Sequence, residues 1–249
     1  MKSKNFIKTS IHEYLNEQNE ILLAPNGKRS RLHPKLYKLV RTDEFKAWFG
    51  DWINDSDNSS KVVDNNGEPL VVYHGTTKNF NIFEIVDRIK PDWKIREYGV
   101  YFSDSYSTAK EYSFEKPEEN VEYVEWCEKL DKLKAEQDWN GWEKLYLYGK
   151  DIYKPTPKII NTKSIKVMEC FLNIRKPHIK NGNGKHWFNM FKNIVDIALD
   201  NNNDGIICTN VIEVYDDVQN TYVAFKPNQI KLADGTNTSF NSETDDIRF

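Results

Sequence analysis

The chain has 249 residues, with 35 Lys and Arg against 38 Asp and Glu and a formal net charge of −3. That near-balance excludes a strongly basic nucleic-acid coat and a strongly acidic solvating tail, while leaving room for a local basic groove. A hydrophobic content of 39%, with 7 Trp, 13 Tyr and 13 Phe, fits a globular chain with an aromatic-rich core rather than a disordered one.

The first predicted element is an amphipathic helix over 5–22, where Ile7, Ile11, Tyr14, Leu15 and Ile21 recur at helical spacing. A turn at Pro25-Asn26-Gly27 and a basic stretch set it apart. We therefore divide the chain into a segment 1–24, which either packs on the main body or docks a partner through its apolar stripe, and a main domain 25–249. His33-Pro34 opens a short helix through Leu39. A further helix capped by Thr42 or Asp43 carries Phe45, Trp48 and Phe49 and stops at Gly50. After a polar loop and the Asn65-Asn66-Gly67 turn, 70–73 reads as a buried strand. The stretch 80–91 reads as a short helix or irregular segment, and Val100-Tyr101-Phe102 as the core of a strand.

Ser103 or Asp104 then caps a helix through Tyr112. A charged helix comes next, with Val121, Val124, Cys127, Leu130 and Leu133 at three-residue intervals, inside a helical and aromatic insertion over about 114–165. A strand over 167–174 ends at Lys176-Pro177, and Asn181-Gly182-Asn183-Gly184 reads as a mobile loop. A helix over 187–199 precedes strands at 205–208 and 221–225, and Pro227-Asn228 turns the chain into Gln229-Ile230-Lys231. The polar tail from Asp234 reads as loose apart from Ile247 and Phe249. This irregular alternation predicts an α+β fold rather than a doubly wound parallel sheet. No apolar run is long enough to span a membrane, and no signal peptide is visible, so a cytoplasmic working place without a membrane partner is expected. Cys127, Cys170 and Cys208 lie far apart, which points to buried free thiols rather than to disulfides or a metal site.

Three segments could carry chemistry. In Tyr73-His74-Gly75-Thr76 a histidine leaves a strand beside a bare backbone that a ligand can approach, or else simply bonds a carbonyl at a strand end. Tyr101 and Tyr112 lie eleven positions apart across a strand–helix turn. They either sandwich a flat cationic ring, each face being worth roughly 0.5–2 kcal/mol, or fill the core. Gln229 comes after a proline turn, where its amide either bonds a sugar hydroxyl or sits on an exposed strand edge.

Read together, the three segments resemble the ADP-ribosyltransferase superfamily in its diphtheria-toxin and poly(ADP-ribose) polymerase branch. The resemblance lies in the strand-borne His74-Gly75, the Gly99-Val100-Tyr101 strand and Tyr112 at its spacing from Tyr101. The chain is more specifically similar to the ADP-ribosyltransferase domains of phage and mobile-element polyvalent proteins. That likeness rests on Leu39-Val40-Arg41-Thr42, Phe45-Lys46-Ala47-Trp48-Phe49-Gly50-Asp51-Trp52, Lys61-Val62-Val63-Asp64, the segment 225–231 and the closing Asp245-Asp246-Ile247-Arg248-Phe249.

The resemblance implies a split β-sheet core, NAD as substrate without a metal, and mono-ADP-ribosylation of a host protein or nucleic acid by a phage-encoded enzyme. It implies that His74 bonds a ribose hydroxyl, that the Gly75 backbone holds the nicotinamide amide, and that Tyr101 and Tyr112 clamp the ring. Thr76 is expected on the adenosine side. Gln229 is expected at the place tied to the family's catalytic glutamate, keeping a hydrogen bond but losing a charge. Glu213 could supply the missing base, or be a solvated surface residue. The competing functions are an NAD glycohydrolase and a catalytically silent NAD- or partner-binding module.

Overall fold

The computed structural model describes residues 21–90, 95–113, 121–150, 152, 166–187, 193–213 and 217–249. The helix expected in 1–24 therefore falls outside the described residues up to position 20. Beyond it the chain turns back on itself, with Ala24 N bonded to Lys28 O at 2.8 Å.

Helix α1 (Pro34–Leu39) starts on proline, whose missing N–H costs nothing in a first turn. Helix α2 (Asp43–Phe49) is capped by Thr42, whose hydroxyl accepts from Phe45 N at 3.2 Å. It stops at Gly50, where φ is +102° and a Cβ would lie 2.4 Å from Ser59 Cα. Its buried face is aromatic: the Phe45 ring sits 5.1 Å from Phe171 and 4.9 Å from Phe240. Burying rings of this size contributes roughly 1.5–3 kcal/mol each, which fixes α2 against the sheet.

The sheet comprises β1 (Val72–Thr76), β2 (Val86–Lys90), β3 (Ile95–Ser103), β4 (Lys166–Leu172), β5 (Pro177–His186), β6 (Gly205–Ile212), β7 (Val218–Ala224) and β8 (Ile230–Leu232). Its order is β5-β6-β7-β3-β1-β4-β8, with β2 paired to β3. Among these strands only β5 and β6 run parallel; the other pairs are antiparallel. β1 pairs with β4 along its whole length, yet meets β3 only at Tyr73 and Ser103. The sheet is thus split between β1 and β3, as the resemblance implies. β3 itself changes partner midway. Residues 95–99 pair with β2, and residues 100–103 with β7. Gly99 marks the change with φ +94°, and a Cβ there would lie 2.5 Å from Ala224 O. The β2–β3 ribbon consequently peels away from the main sheet beside the split.

Helix α3 (Tyr106–Glu111) packs over β1 and β3, and α6 (Ile194–Asp200) lies against β6. Helices α4 (Val121–Ala135) and α5 (Trp139–Gly149) form a hairpin, with Trp126 Nε1 donating to Leu145 O at 3.1 Å. The α+β class holds, and among the described residues no helix is long and apolar enough to cross a membrane. Cys127, Cys170 and Cys208 are free, the last two buried.

Several expected elements differ. The first strand begins at Val72 rather than position 70, and residues 86–90 of the segment expected to be helical or irregular form β2. Ser105, not Ser103 or Asp104, caps α3. Pro177 opens a strand, and β5 runs through Asn181-Gly182-Asn183-Gly184, absorbing those residues as a bulge against β6. Of the helix expected over 187–199, Trp187 is helical, residues 188–192 lie outside the described residues, and Asn193 at φ +67° precedes α6, which begins at Ile194. The tail is anchored rather than loose: the Lys231 ammonium, fully buried, donates to Thr244 O and Asp246 O, both at 2.9 Å. Phe240 and Ile247 are buried, whereas Phe249 is exposed.

Candidate active site

Where β1 and β3 part, a cleft of about 300 Å³ opens. Its walls include Tyr73, His74 and Gly75 from β1, Tyr101, Phe102 and Ser103 from β3, and Thr108, Ala109 and Tyr112 from α3 and its end. Val86, Arg88 and Glu97 of the ribbon, Trp187 and Glu213 complete it. This size suits a flat ring with an attached sugar rather than a macromolecule. Helix α3 is held over the cleft by Gln219 of β7, whose carbonyl accepts from Ser103 Oγ at 3.2 Å and Thr108 Oγ1 at 2.5 Å.

His74, still paired with Met168 of β4, lies one residue beyond the β1–β3 pairing, and its Nδ1 lies 2.8 Å from the Tyr101 carbonyl oxygen. A carbonyl can only accept, so Nδ1 carries the hydrogen and the neutral ring keeps Nε2 as its acceptor. Phe83 and Phe102 flank the ring at 4.9 and 5.4 Å. Burial among them lowers the pKa of the imidazole, against the weaker opposing effect of the Tyr101 carbonyl. The site therefore holds a neutral, orientationally fixed hydrogen-bond acceptor.

Tyr101 and Tyr112 line the same cleft. Loss of hydration pushes both phenols up, and Glu213 adds to the effect at Tyr112. Both stay protonated donors near neutral pH. Glu213 is half-buried at the cleft rather than a fully solvated surface residue. β6 carries a bulge between Cys208 and Val211, with Asn210 at φ +54°, and a bulge re-aims the side chains beyond it. Just past the end of β6, Glu213 accepts from Thr221 Oγ1 of β7 and, at 3.4 Å, from the Tyr112 hydroxyl. Burial raises the pKa of this carboxyl, and the two hydroxyls oppose the rise.

The fold places the remaining expected residues, Gly75, Thr76 and Gln229, differently from one another. Gly75 lines the cleft, but its missing Cβ answers to α3: a Cβ would fall 1.6 Å from Ala109 O. Thr76 is buried at the end of β1, with its hydroxyl accepting from Lys78 N at 3.1 Å, and is not among the cleft residues. Gln229 is not brought to the cleft either. Its Oε1 accepts from Phe225 N and Lys226 N at 2.9 and 2.8 Å, and its Nε2 donates to Asn173 O and Asp204 O at 3.0 and 2.9 Å. All four bonds tie loops to one another, so the amide is saturated as a buckle and has nothing left for a ligand.

Sequence reasoning missed Arg88, Glu97 and Trp187 as cleft residues. The alternation of β2 and its register with β3 put Arg88 and Glu97 opposite each other, a relation that no local pattern encodes. Among the described residues no group of His, Cys, Asp and Glu could hold a metal ion. What the cleft offers is a fixed neutral acceptor, two aromatic phenols and a desolvated carboxylate. That set can bind a cationic aromatic ring and stabilise positive charge that develops beside it.

A family model, the ADP-ribosyltransferase in polyvalent proteins, matches residues 64–240. The match covers both faces of the cleft and most of the chain. No curated protein and no solved structure matches significantly. The chain belongs to the ADP-ribosyltransferase family found in polyvalent proteins, and that family implies NAD as substrate.

Proposed function

Taking that membership as premise, we propose that this cleft breaks the bond between nicotinamide and ribose in NAD and passes the ADP-ribosyl group to a host macromolecule. The observation that carries this reading is the convergence of His74, Tyr101, Tyr112 and Glu213 on one cleft at the split of the sheet. In it the nicotinamide half of NAD enters with its cationic ring against Tyr101 and Tyr112. Nε2 of His74 accepts a hydrogen bond from a ribose hydroxyl. Because the imidazole is held neutral, it adds no repulsion towards the cationic ring.

As the glycosidic bond breaks, its electron pair leaves with nicotinamide and positive charge builds on the ribose. Glu213 is the carboxylate in the cleft that supports this charge, held by Thr221 and Tyr112. When the acceptor attacks the ribose carbon, its proton passes to Glu213. A carboxyl whose pKa is raised by burial is a better base than a free surface one. Gln229 takes no part beyond holding the loops behind β6 and β7.

The test is incubation of purified protein with labelled NAD, with and without lysate. The reading expects nicotinamide release together with covalent label on a macromolecule. Free ADP-ribose without such label would assign water as acceptor. Binding of NAD with no nicotinamide released in any condition would leave only the silent module.

A further inference from the structure

We infer that Arg88 is the anchor for the diphosphate of the dinucleotide, and that Glu97 holds it in place until the substrate arrives. The inference rests on the NAD reading above and adds to it a second binding point at the rim of the cleft.

Register and alternation come first. Arg88 on β2 stands opposite Glu97 on β3, and Val86 stands opposite Gly99. Side chains of a strand alternate faces. Val86 and Arg88 therefore share a ribbon face with Glu97 and Tyr101, and all four line the cleft. The intervening residues Asp87, Arg96 and Tyr98 take the other face.

The two arginines of the ribbon are used differently. Arg96 is committed to structure: it donates from Nε and Nη2 to Asp87 at 3.0 and 3.1 Å, and from Nη1 to Asp196 of α6 at 3.2 Å. Arg88 donates from Nε to Glu97 Oε2 at 2.6 Å. Its side chain is 65% exposed, whereas that of Glu97 is 13% exposed. The guanidinium thus sits at the solvent edge of the cleft, with its two terminal amino groups not spent on Glu97.

Charge then selects the ligand group. Among the residues lining the cleft the acidic side chains are Glu97 and Glu213, Arg88 is the cationic one, and His74 is held neutral. Two carboxylates suit the cationic ring but oppose the anionic half of a dinucleotide. A diphosphate reaching the rim meets Arg88, whose planar fork fits phosphate oxygens better than a point charge does. Binding exchanges the Arg88–Glu97 contact for an Arg88–phosphate contact and leaves Glu97 on the cationic side of the ligand.

Calorimetric titration of the full chain with NAD, ADP-ribose and nicotinamide tests this, at low and high salt. For Arg88→Ala the affinity for NAD and ADP-ribose falls about tenfold at low salt while that for nicotinamide is unchanged. Arg88→Lys falls between. Glu97→Gln binds NAD as tightly as wild type or several-fold more tightly, because the competing carboxylate is gone. Unchanged NAD affinity in Arg88→Ala overturns the inference. So does equal weakening in Glu97→Gln and Arg88→Ala, which would make the pair a strut of the ribbon. Thermal melting of each variant checks that the ribbon survives. A wild-type chain that binds none of the three ligands overturns the NAD reading itself, an outcome distinct from NAD binding that ignores Arg88.

Discussion

His74 Nδ1 lies 2.8 Å from the carbonyl oxygen of Tyr101, and this bond crosses the sheet where its two halves separate. β1 and β3 pair only at Tyr73 and Ser103, so one residue further along β1 the histidine ring takes the place of a ladder hydrogen bond. The same bond fixes the tautomer and leaves Nε2 as an acceptor. Structure and chemistry thus share one contact, which makes His74 the first residue to perturb.

His74→Ala is expected to lower nicotinamide release by at least about 100-fold, by removing the acceptor that orients the ribose. His74→Gln is expected to retain more stability than His74→Ala, since its amide N–H can still reach the Tyr101 carbonyl. Initial rates of nicotinamide release and thermal melting of both variants check this.

Stability should fall in acid in a way that depends on His74. Its pKa is lowered in the folded chain by burial, so the unfolded chain binds the proton more readily. The stabilising contribution is present above the ordinary histidine pKa, about 6.5, and is lost as pH falls through the lowered folded value. Between pH 7.5 and 5 the melting temperature of wild type is expected to drop further than that of His74→Gln. Parallel curves would show that the ring does not couple protonation to folding.

Gly75→Ala is expected to fold poorly. The added methyl would meet Ala109 O at 1.6 Å, and backbone cannot yield as a flexible side chain can. The expected cost is about 3 kcal/mol or more, read from chemical denaturation. Because the displaced element is α3, whose C-terminal cap is Tyr112, whatever protein folds is expected to bind NAD weakly.

Gln229→Ala is expected to be a stability variant. It leaves two backbone N–H groups and two carbonyls without their partners, a loss of about 2–4 kcal/mol. Gln229→Glu should also destabilise, since its second oxygen would face the carbonyls of Asn173 and Asp204. Denaturant midpoints measure both effects, and activity per folded molecule should stay close to wild type.

The contrast between Gln229 and Glu213 shows what one sequence can and cannot reveal. His74, Tyr101 and Tyr112 are legible because the strand-borne His-Gly and the tyrosine spacing are local patterns on neighbouring elements. Gln229 stands out equally well, but its partners come from three separate segments, and only the fold shows that its amide is saturated. Glu213 carries no local signal. It reaches the cleft through a bulge in β6, the pairing of β6 with β7 and the hydroxyl of Thr221. Arg88 and Glu97 are hidden likewise, because the strand character of 86–90 depends on pairing with residues 95–99 and only that register sets the two opposite each other. The aromatic face of α2 is plain from its spacing, whereas the anchoring of the tail by Lys231 depends on contacts far along the chain.

The most direct measurement is nicotinamide release from saturating NAD by wild type, Glu213→Gln and Gln229→Ala, each normalised to folded protein and paired with the affinity for NAD. Glu213→Gln is predicted to lose about 10²–10³-fold in rate with its affinity for NAD little changed, while Gln229→Ala keeps its rate per folded molecule. A Glu213→Gln variant that releases nicotinamide as fast as wild type, or a folded Gln229→Ala variant that releases none, would contradict the assignment of the catalytic carboxylate to this cleft.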